Sequence, residues 1–589
     1  MNTEKVKVSF LMCVFVACAI VFWLMVLGIH LKRIQLDSNA SFMYENSRQS
    51  TRVVRTAGYR GRILDRDGVV IADNRRTISI GLSPSYFERK TWNKTVEAVA
   101  DGIIKASKII ERETSLTSVD LRRHVEKALA MPLVVWRDVT DEELARFCEH
   151  SQELPGFFCI ENEERVYPYG NHFSHLLGYV GRDNAQGESG DEKINFYQQE
   201  MIGRSGIERY YNGFLRGVSG EKRIVVDARG FSRSERVVSP ATRGLDLKLT
   251  VSSKIQRAVE KELSGLRGAC VVLDPRDGSV LAMASAPDFD LNNFVPRLKE
   301  PYYEALSSDR AKPLLNRAIQ GLYAPGSTFK PVTALAALRA GIKDSEKFEC
   351  IGAFTLGQLR IRCARTWGHG EEDMRGALRD SCNPYFCNLA IRTGTNILIR
   401  AAHDFNLGSP TGIDYGIDPS GLIPDEKYKR ETYNEKWYQG DLAQMAIGQG
   451  MLLVTPLQMA MVAGAIGTGY ITRPHLNSVM PVEKKPLAFS EAHLKVVREG
   501  MEKVTQPGGT GHKASIGLKV KVAGKTGTAE IGRGATRRKN AWFVAYAPIE
   551  NPVVAIAMVV EYGDSGGGTA APKVRRILGE IFGYEEDGR

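Results

Sequence analysis

Cysteine is scarce in this sequence, with nine residues among 589. Nine are too few for a disulfide framework on a chain of this length, so the fold has to depend on buried apolar cores. Internal repeats and long low-complexity tracts are also absent, which argues against a solenoid or a fibrous protein. The length instead predicts two to four globular domains.

Signatures of nucleic-acid recognition are missing as well. The formal net charge is +11, and such an excess favours nucleic acid, anionic lipid or another anionic polymer as a partner. The chain has no zinc finger, no nucleic-acid-binding helix signature and no aromatic stacking motif. Nucleic acid is therefore not expected among the partners.

A long apolar run occupies residues 8–31, between Lys7 and Lys32. It is long enough to cross the roughly 30 Å hydrocarbon core of a bilayer as one helix. A cleaved signal peptide has a shorter apolar region followed by small residues, whereas here Ala17-Cys18-Ala19 lies inside the run. We expect an uncleaved anchor, with a cleaved signal peptide and a lipoprotein processed at Cys18 as alternatives. Basic residues on both sides leave the orientation open.

The rest of the chain divides near Gly244. Before it, residues 52–83 are strand-like, 85–160 are more helical, and 165–235 return to short strands and loops. After it, the pattern predicts a hairpin, a helix and three consecutive strands, at residues 271–283, 326–339, 518–529, 540–548 and 552–562. This mixture predicts an α+β multidomain fold whose C-terminal half combines an antiparallel sheet with helices.

Ser327-Thr328-Phe329-Lys330 follows a Pro-Gly pair at the start of the predicted helix. Residues three apart on a helix share a face, so Oγ of Ser327 and Nζ of Lys330 can meet. Unpaired N–H groups at the helix start favour negative charge that develops near Ser327. A lysine whose pKa is lowered by burial or by a second cation can serve as the base. Alone, this pattern also fits an ordinary helix start.

Two further motifs follow it along the chain. Ser381-Cys382-Asn383 offers a hydroxyl and an amide that can relay a proton and hold a substrate amide. Lys525-Thr526-Gly527-Thr528 lies on a predicted strand, where its cation and hydroxyl can bind a carboxylate. Gly527 would let a substrate backbone approach the strand edge, and the N–H of Thr528 would join that of Ser327 as an oxyanion hole. Each motif is weak alone, but the ordered set is that of class A β-lactamases and penicillin-binding proteins.

Further segments extend this resemblance to most of the chain, and the sequence as a whole resembles the class B penicillin-binding proteins. They are 60–68 (RGRILDRDG), 165–170 (RVYPYG), 175–181 (HLLGYVG), 203–211 (GRSGIERYY), 446–450 (AIGQG) and 455–458 (TPLQ). The resemblance implies a chain anchored in the cytoplasmic (inner) membrane by a single pass, with its catalytic part in the periplasm. The implied organisation is a cytoplasmic tail at 1–7, an anchor at 8–31, an elongated mostly-β pedestal at 52–240 with an inserted helical head at about 84–160, and an α/β penicillin-binding transpeptidase domain, similar to serine β-lactamases, at 245–582.

The resemblance also implies the chemistry. Ser327 would attack a D-Ala-D-Ala stem peptide of peptidoglycan and release D-alanine, and an amine of a neighbouring stem would then take the acyl group. Lys330 would be the base, with help from Ser381 and Asn383, and the motif at 525–528 would hold the terminal carboxylate. β-Lactams would acylate the same serine. No organic cofactor is implied.

Three segments favour the elongation type, that of penicillin-binding protein 2, over the division type: 178–182 (GYVGR), 367–370 (WGHG) and 566–573 (GGGTAAPK). This type implies a role in rod-shape maintenance. Its partners would be a glycosyltransferase of the SEDS type and the membrane proteins of the elongation complex.

A metal site is predicted beside the motifs. Cys350, Cys363, His369 and Cys382 offer three thiols and an imidazole, which suit one tetrahedral Zn²⁺. Zinc-binding members of the penicillin-binding protein 2 group hold a comparable Asp, Asp, His and Cys set in this segment, and cysteine here would replace the two carboxylates. The ion would brace the active-site loop. The alternative is a Cys350–Cys363 disulfide, and Cys387 is either a substitute ligand or a core residue.

Two other functions fit parts of the pattern. One is a hydrolase on the same fold, either a β-lactamase or a D,D-carboxypeptidase, although the long N-terminal module and the anchor argue against a diffusing β-lactamase. The other is a non-catalytic scaffold or β-lactam sensor that activates a glycosyltransferase. The complete set of motif residues favours an active enzyme.

Overall fold

The computed structural model describes most of the chain, over residues 3–37, 50–182, 196–197, 200–532 and 537–584. Its first element is the helix Thr3–Lys32, which continues into a π-helical turn at Arg33–Asp37. A helix of 30 residues is about 45 Å long at 1.5 Å per residue. Among the described residues, Phe10–Gln35 is the one stretch long and apolar enough to span a membrane, and none of it is buried. Residues 1–2 of the predicted tail lie outside the described residues.

Two sheets build the predicted pedestal. The first has the strand order Ser232–Ser239, Gly220–Val226, Thr51–Thr56 and Phe196–Tyr197. The second has the order Leu247–Lys248, Ile63–Leu64, Val70–Leu82 and Leu133–Trp136, with Phe157–Val166 also paired to Val70–Leu82. Smaller elements connect the sheets at Ser174–Leu177, Val180–Arg182, Met201–Gly203, Gly206–Tyr210 and Asn212–Leu215. The described part of this module is therefore mostly β, as the sequence predicts.

A buried ion cluster joins the sequence motifs of this module. Glu208 is fully buried and accepts hydrogen bonds from Nε of Arg60 and Nε of Arg165, both at 2.7 Å. Burial raises the pKa of Glu208, but the Arg165 and Arg60 guanidiniums outweigh it and leave that pKa lowered. A buried charge that loses its partner is strongly destabilising. These three residues come from three separate motif segments, so the cluster holds the segments together.

The head is continuous with the second pedestal sheet. The strand Val70–Leu82 pairs with Phe157–Val166 from Asp73 opposite Val166 to Leu82 opposite Phe157. The head helices Trp92–Ile110, Ser118–Lys127 and Asp141–Glu149 enclose a core that includes Ile80, Val99, Ile103, Trp136 and Phe147. The segment expected to be helical thus also contributes the strand Leu133–Trp136, whose side chains complete that core.

A five-stranded antiparallel sheet is the centre of the C-terminal half. Its order is Val280–Ala286, Gly268–Leu273, Val554–Glu561, Arg538–Ala547 and Ala523–Ile531. The terminal helices Ser253–Leu263 and Ala571–Phe582 cover one face through buried residues such as Val259 and Ile577. The other face packs against the remaining helices, mainly Lys330–Arg339, Met374–Arg379, Asn383–Thr393, Thr395–Asp404, Gln439–Ala446, Pro456–Thr468 and Glu491–Thr505. The predicted fold class, with a sheet between helices, is confirmed.

The last strands differ slightly from the prediction. Residues 518–529 were expected as one strand, but the strand begins at Ala523. The preceding residues pair with the C-terminus instead: Leu518 bridges to Tyr584, and the N–H of Lys519 donates to the backbone oxygen of Gly583 at 3.4 Å. The first residues of the predicted strand therefore pair outside the sheet.

The pedestal also contacts the C-terminal half through buried polar groups. Tyr211 donates its hydroxyl hydrogen to Asp414, whose carboxylate also accepts from the N–H of Leu476 at 2.6 Å and of Asn477 at 2.9 Å. Asp65 accepts from the N–H of Ser253 at 3.0 Å. These bonds join two sequence-distant modules at fully or partly buried positions, so the pedestal packs directly against the C-terminal half.

Candidate active site

Ser327 lies where three backbone segments meet. It belongs to the 3₁₀ turn Gly326–Phe329, which leads directly into the helix Lys330–Arg339. Gly326 has φ +57°, donates its N–H to the oxygen of Gly448 at 2.8 Å, and would place a Cβ 3.0 Å from the oxygen of Thr528. The close approach leaves no room for a larger residue before the serine. Ser327 itself is half-buried.

Lys330 is completely buried and turns towards the second motif. Its Nζ donates to the backbone oxygen of Ser381 (2.6 Å), to Oγ of Ser381 (3.2 Å) and to Oδ1 of Asn383 (2.7 Å). Burial lowers the pKa of Lys330 to about 8, although nearby cysteines, Cys382 first, work in the opposite direction. A lysine of this kind loses its proton at mildly alkaline pH, as a general base requires.

Ser381 stands in a strained turn between two helices. Its φ is +55°, a left-handed conformation that costs a residue with a side chain about 1–2 kcal/mol. The turn is fixed by the N–H of Cys382, which donates to the oxygen of Ala377 at 3.0 Å, and by Nδ2 of Asn383, which donates to the oxygen of Arg362 at 2.8 Å. Strain of this type, held by its surroundings, is characteristic of functional sites.

A second buried lysine reaches the same hydroxyl. Nζ of Lys525 donates to Oγ of Ser381 at 2.9 Å and to the oxygen of Thr526 at 3.1 Å. Burial, and then the neighbouring charge of Lys330, hold the pKa of Lys525 well below its usual range. Ser381 therefore connects the two lysines of the first and third motifs, and an anion that approached Lys525 would favour its charged form.

The third motif occupies the edge strand of the sheet, Ala523–Ile531. The oxygen of Thr528 accepts from Nε2 of Gln449 at 3.4 Å, so it points away from the neighbouring strand. In an antiparallel ladder the N–H and C=O of one residue face the same side. The N–H of Thr528 therefore also faces the free edge, beside the turn that carries Ser327.

The carboxylate-binding side of the motif includes a residue outside it. Oγ1 of Thr526 donates to Oγ1 of Thr510 at 2.9 Å, and Oγ1 of Thr510 donates to the oxygen of Arg379 at 3.1 Å. Thr526 is buried, whereas Thr510 is exposed. Two hydroxyls thus stand side by side next to Lys525.

Gly527 packs closely against the turn that carries Ser327. A Cβ at this position would lie 2.8 Å from Cγ2 of Thr328, 2.9 Å from the oxygen of Pro325 and 3.0 Å from Cβ of Trp542. These contacts belong to the turn that carries Ser327 and to the neighbouring strand. The absent side chain therefore lets the nucleophile turn pack on the strand, and the expected role of Gly527 in substrate approach stays a prediction.

The predicted metal ligands converge beside this site. The ligand atoms of Cys350, Cys363, His369 and Cys382 all lie within 4.8 Å of one another. Nδ1 of His369 is 3.5 Å from Sγ of Cys350 and 3.4 Å from Sγ of Cys363, and both thiols are free. A hydrogen bond from the thiol of Cys382 lowers the pKa of Cys363. Cys387 donates its thiol to the oxygen of Ala443 at 3.6 Å and is a core residue outside the cluster.

Known families match both halves of the chain. The Penicillin-binding Protein dimerisation domain matches residues 55–249, and the Penicillin binding protein transpeptidase domain matches residues 268–579. The chain belongs to the penicillin-binding protein family. The three catalytic motifs and the buried Glu208 cluster fall inside these two matched regions of the penicillin-binding protein.

Individual relatives narrow the assignment of the chain within this family. The peptidoglycan D,D-transpeptidase MrdA of Haemophilus influenzae is 32% identical over 88% of this chain and 83% of its own length. A solved complex of Penicillin-Binding Protein (PBP2) and MreC from Helicobacter pylori matches with a TM-score of 0.77 and 27% identity, over 90% of this chain and 98% of that one. A chain from a peptidoglycan synthase complex, solved for the structural coordination of polymerization and crosslinking, matches with a TM-score of 0.73 and 28% identity, over 98% and 99%. The predicted class B, elongation-type membership and serine-type D,D-transpeptidase activity are confirmed.

The structure brings the segments that carry all eight predicted catalytic and substrate-binding residues of this penicillin-binding protein together at one site. It adds two that the motifs did not identify, Thr510 and Gln449. Gln449 lies in a segment (AIGQG) already recognised as typical of the family, but nothing in that segment indicated a bond to Thr528. Thr510 follows a Gly-Gly turn at 508–509. This pattern predicts a loop, but it does not predict the hydrogen bond between Thr510 and Thr526.

Proposed function

We propose that this D,D-transpeptidase cross-links peptidoglycan stem peptides during cell elongation and rod-shape maintenance, through an acyl-enzyme on Ser327. The observation that carries the proposal is the shared hydroxyl of Ser381, which accepts from both Lys330 and Lys525 beside the nucleophile turn. Such an arrangement offers a base, a proton relay and an anion site within one hydrogen-bonded chain.

Substrate binding would use the edge of the sheet. The terminal carboxylate of a D-Ala-D-Ala stem would meet Lys525 and Thr526, with the hydroxyl of Thr510 next to them. The incoming anion favours the charged form of Lys525, whose pKa is lowered in the free site by burial and by Lys330. The free edge of Ala523–Ile531 would accept the stem backbone as an additional strand.

Acylation would follow from the same geometry. Lys330, in its neutral form, would take the proton of Ser327 as Oγ attacks the penultimate D-alanine carbonyl. The N–H groups of Ser327 and Thr528 would stabilise the oxyanion. Ser381 would pass a proton to the leaving amine and recover it from the lysines, Asn383 would hold the stem amide, and D-alanine would depart as the C–N bond breaks.

The second half of the reaction would reverse these roles. An amine of a neighbouring stem would donate its proton through Ser381 and Lys330 and attack the ester on Ser327, which restores the serine and forms the cross-link. A β-lactam would acylate Ser327 in the same way, but its ring-opened product has no separate leaving group to make room for the amine.

Product analysis tests the proposal against its rivals. The full chain in detergent, incubated with uncross-linked pentapeptide strands, should release D-alanine and form cross-linked dimers, and Ser327→Ala should do neither. Release of D-alanine with only shortened, uncross-linked stems would indicate a carboxypeptidase. No release from a folded chain that still stimulates a glycosyltransferase would indicate the scaffold.

We also propose that Cys350, Cys363, His369 and Cys382 hold one structural Zn²⁺. The S–N separations of 3.4 and 3.5 Å match the roughly 3.6 Å expected between sulfur and nitrogen ligands of a tetrahedral zinc ion. Bound there, the metal would supply only a structural crosslink. Because Cys382 adjoins Ser381 and Asn383, the four residues would fix the strained turn. Native mass spectrometry should find one zinc per chain, absent after His369→Ala; an apo chain of unchanged thermal stability would contradict the proposal.

The location and partners follow from the same reasoning. The helix Thr3–Lys32 would anchor the chain in the inner membrane, with the bulk in the periplasm where the substrate lies. The Helicobacter pylori relative assembles with MreC, so we propose an elongation-complex partner of that kind and a SEDS-type glycosyltransferase. Co-purification from membranes, with and without the anchor helix, would test both.

A further inference from the structure

Three arginines near the active site lack carboxylate partners. Within the part of the chain that the structure describes, Arg360, Arg362 and Arg365 form no ion pair, and all three are exposed. Some other exposed arginines of this half, such as Arg392 and Arg430, are paired with carboxylates. The three arginines lie close together in the sequence, so an anionic ligand at this segment would meet three positive charges that no carboxylate neutralises.

The hairpin that carries them has one apolar and one basic face. Its strands are Ala353–Leu356 and Leu359–Arg362. The pair Phe354 and Ile361 packs on the core. Successive side chains alternate between the faces of a strand. Arg360 and Arg362, opposite Thr355 and Ala353, therefore lie together on the outer face.

A tightly packed turn adds the third arginine and an exposed tryptophan. In the turn 365–368, the N–H of Gly368 donates to the oxygen of Arg365 at 3.1 Å. A Cβ on Gly352 would lie 2.0 Å from the oxygen of Thr366, so the turn rests against the start of the hairpin. Trp367 is 80% exposed, an unusual position for so large an apolar side chain. We call Arg360, Arg362, Arg365 and Trp367 the arginine rim.

The rim is connected directly to the catalytic residues. The backbone oxygen of Arg362 accepts from Nδ2 of Asn383 at 2.8 Å, and Oδ1 of Asn383 accepts from Lys330 at 2.7 Å. A polymer held at the rim would therefore lie beside Asn383 and Lys330 of the catalytic motifs. An anionic polymer would complement the positive charge of the rim.

We infer that the arginine rim is a docking surface for an anionic peptidoglycan strand, a role that rests on the function proposed above. The guanidiniums would bind stem-peptide carboxylates, for which their planar fork is suited. The flat indole of Trp367 would pack against the apolar face of a sugar ring, with its N–H free for a hydroxyl. The rim would thereby hold the strand while Lys525 and Thr526 select the stem terminus.

The test measures strand binding by the full chain in detergent. The probe is fluorescently labelled, uncross-linked peptidoglycan solubilised with a muramidase. The variants are Arg360→Gln/Arg365→Gln, Trp367→Ala and Trp367→Phe. The matched control is Arg122→Gln/Arg400→Gln, which removes two exposed arginines that form no ion pair among the described residues and lie on other elements.

Arg360→Gln/Arg365→Gln should bind the labelled strands about five- to tenfold more weakly than the unaltered chain at about 0.1 M salt. The difference should shrink at about 1 M salt, because the Debye length falls from about 10 to about 3 Å. Trp367→Ala should weaken binding at both salt concentrations, Trp367→Phe should restore most of it, and the control should change it less than twofold. Rim variants that bind strands as the control does would overturn the inference. So would a rim-dependent affinity for phosphatidylglycerol vesicles without one for strands. Rim-dependent strand binding by a chain that releases no D-alanine would instead refute the proposed function and leave the rim standing.

Discussion

Replacing Gly527 with alanine tests how the nucleophile is positioned. The added methyl group would lie 2.8 Å from Cγ2 of Thr328 and 2.9 Å from the oxygen of Pro325. Ordinary contacts of a Cβ begin near 3.4 Å, so the nucleophile turn and the strand have to separate by several tenths of an ångström. Because Pro325 is joined to Ser327 through one glycine, that separation moves the reacting Oγ.

The expected loss can be estimated from this displacement. A misplacement of about 1 Å costs about 100-fold in rate, so a smaller shift should reduce the acylation rate constant about 10- to 100-fold. Overpacking of this kind costs about 1–3 kcal/mol of stability. Stopped-flow acylation by benzylpenicillin over a range of concentrations separates the rate constant from the dissociation constant. The rate constant should carry most of the loss.

The matched control is Gly213→Ala, where an added Cβ meets no atom within 4 Å. This variant should acylate and unfold as the unaltered chain does. If Gly527→Ala raised only the dissociation constant for benzylpenicillin and left the acylation rate constant unchanged, the glycine would serve substrate approach. That result would refute the reasoning from the nucleophile turn.

Three further predictions follow from the described contacts. Ser381→Gly and Ser381→Ala should both slow acylation about 100-fold or more, because both lack the relaying hydroxyl. In thermal unfolding the glycine variant should nevertheless be more stable than the alanine variant by about 1 kcal/mol, since the φ of +55° suits glycine. Equal stabilities of the two variants would contradict the strain. The acylation rate should rise with pH and level off above about 8, because Lys330 must be neutral to act as a base and its pKa is lowered to about 8. A flat pH profile would rule out Lys330 as the base. Lys330→Arg should be inactive, because a guanidinium keeps its proton. Glu208→Gln should destabilise the pedestal by about 3–5 kcal/mol, because it leaves Arg60 and Arg165 buried without a counter-charge; urea unfolding followed in the pedestal would show no change if the cluster were unimportant.

The order and local context of the catalytic motifs could be predicted from the sequence. Ser327 follows Pro-Gly and precedes a helix, and the motif at 525–528 has the composition of a strand, so each element has the expected type. These signals are local, because a helix start and a strand each depend on a few consecutive residues. The convergence of the four predicted zinc ligands was likewise accessible from their chemistry and the family resemblance.

Contacts between distant segments were not accessible in the same way. Ser381 and Lys525 are 144 positions apart, and periodicity contains no information about such a pairing. The role of Gly527 illustrates the limit: the sequence indicates that a side chain is absent but not which atoms would collide with it. Residues 518–522 show another limit, because a strand prediction does not say which segment pairs with the strand. The bond between Thr510 and Thr526 is of the same kind.

The most direct test of the central claim is the intact mass of the soluble part, from about residue 50, after exposure to benzylpenicillin. Because an acyl-enzyme retains the whole ring-opened drug, the account predicts one adduct of the drug's mass, mapped to Ser327 by peptide sequencing and absent from Ser327→Ala. Slow loss of the adduct would agree with a transpeptidase and distinguish it from a β-lactamase. A folded protein that forms no adduct, or forms it equally in Ser327→Ala, would contradict the assignment of Ser327 as the activated nucleophile.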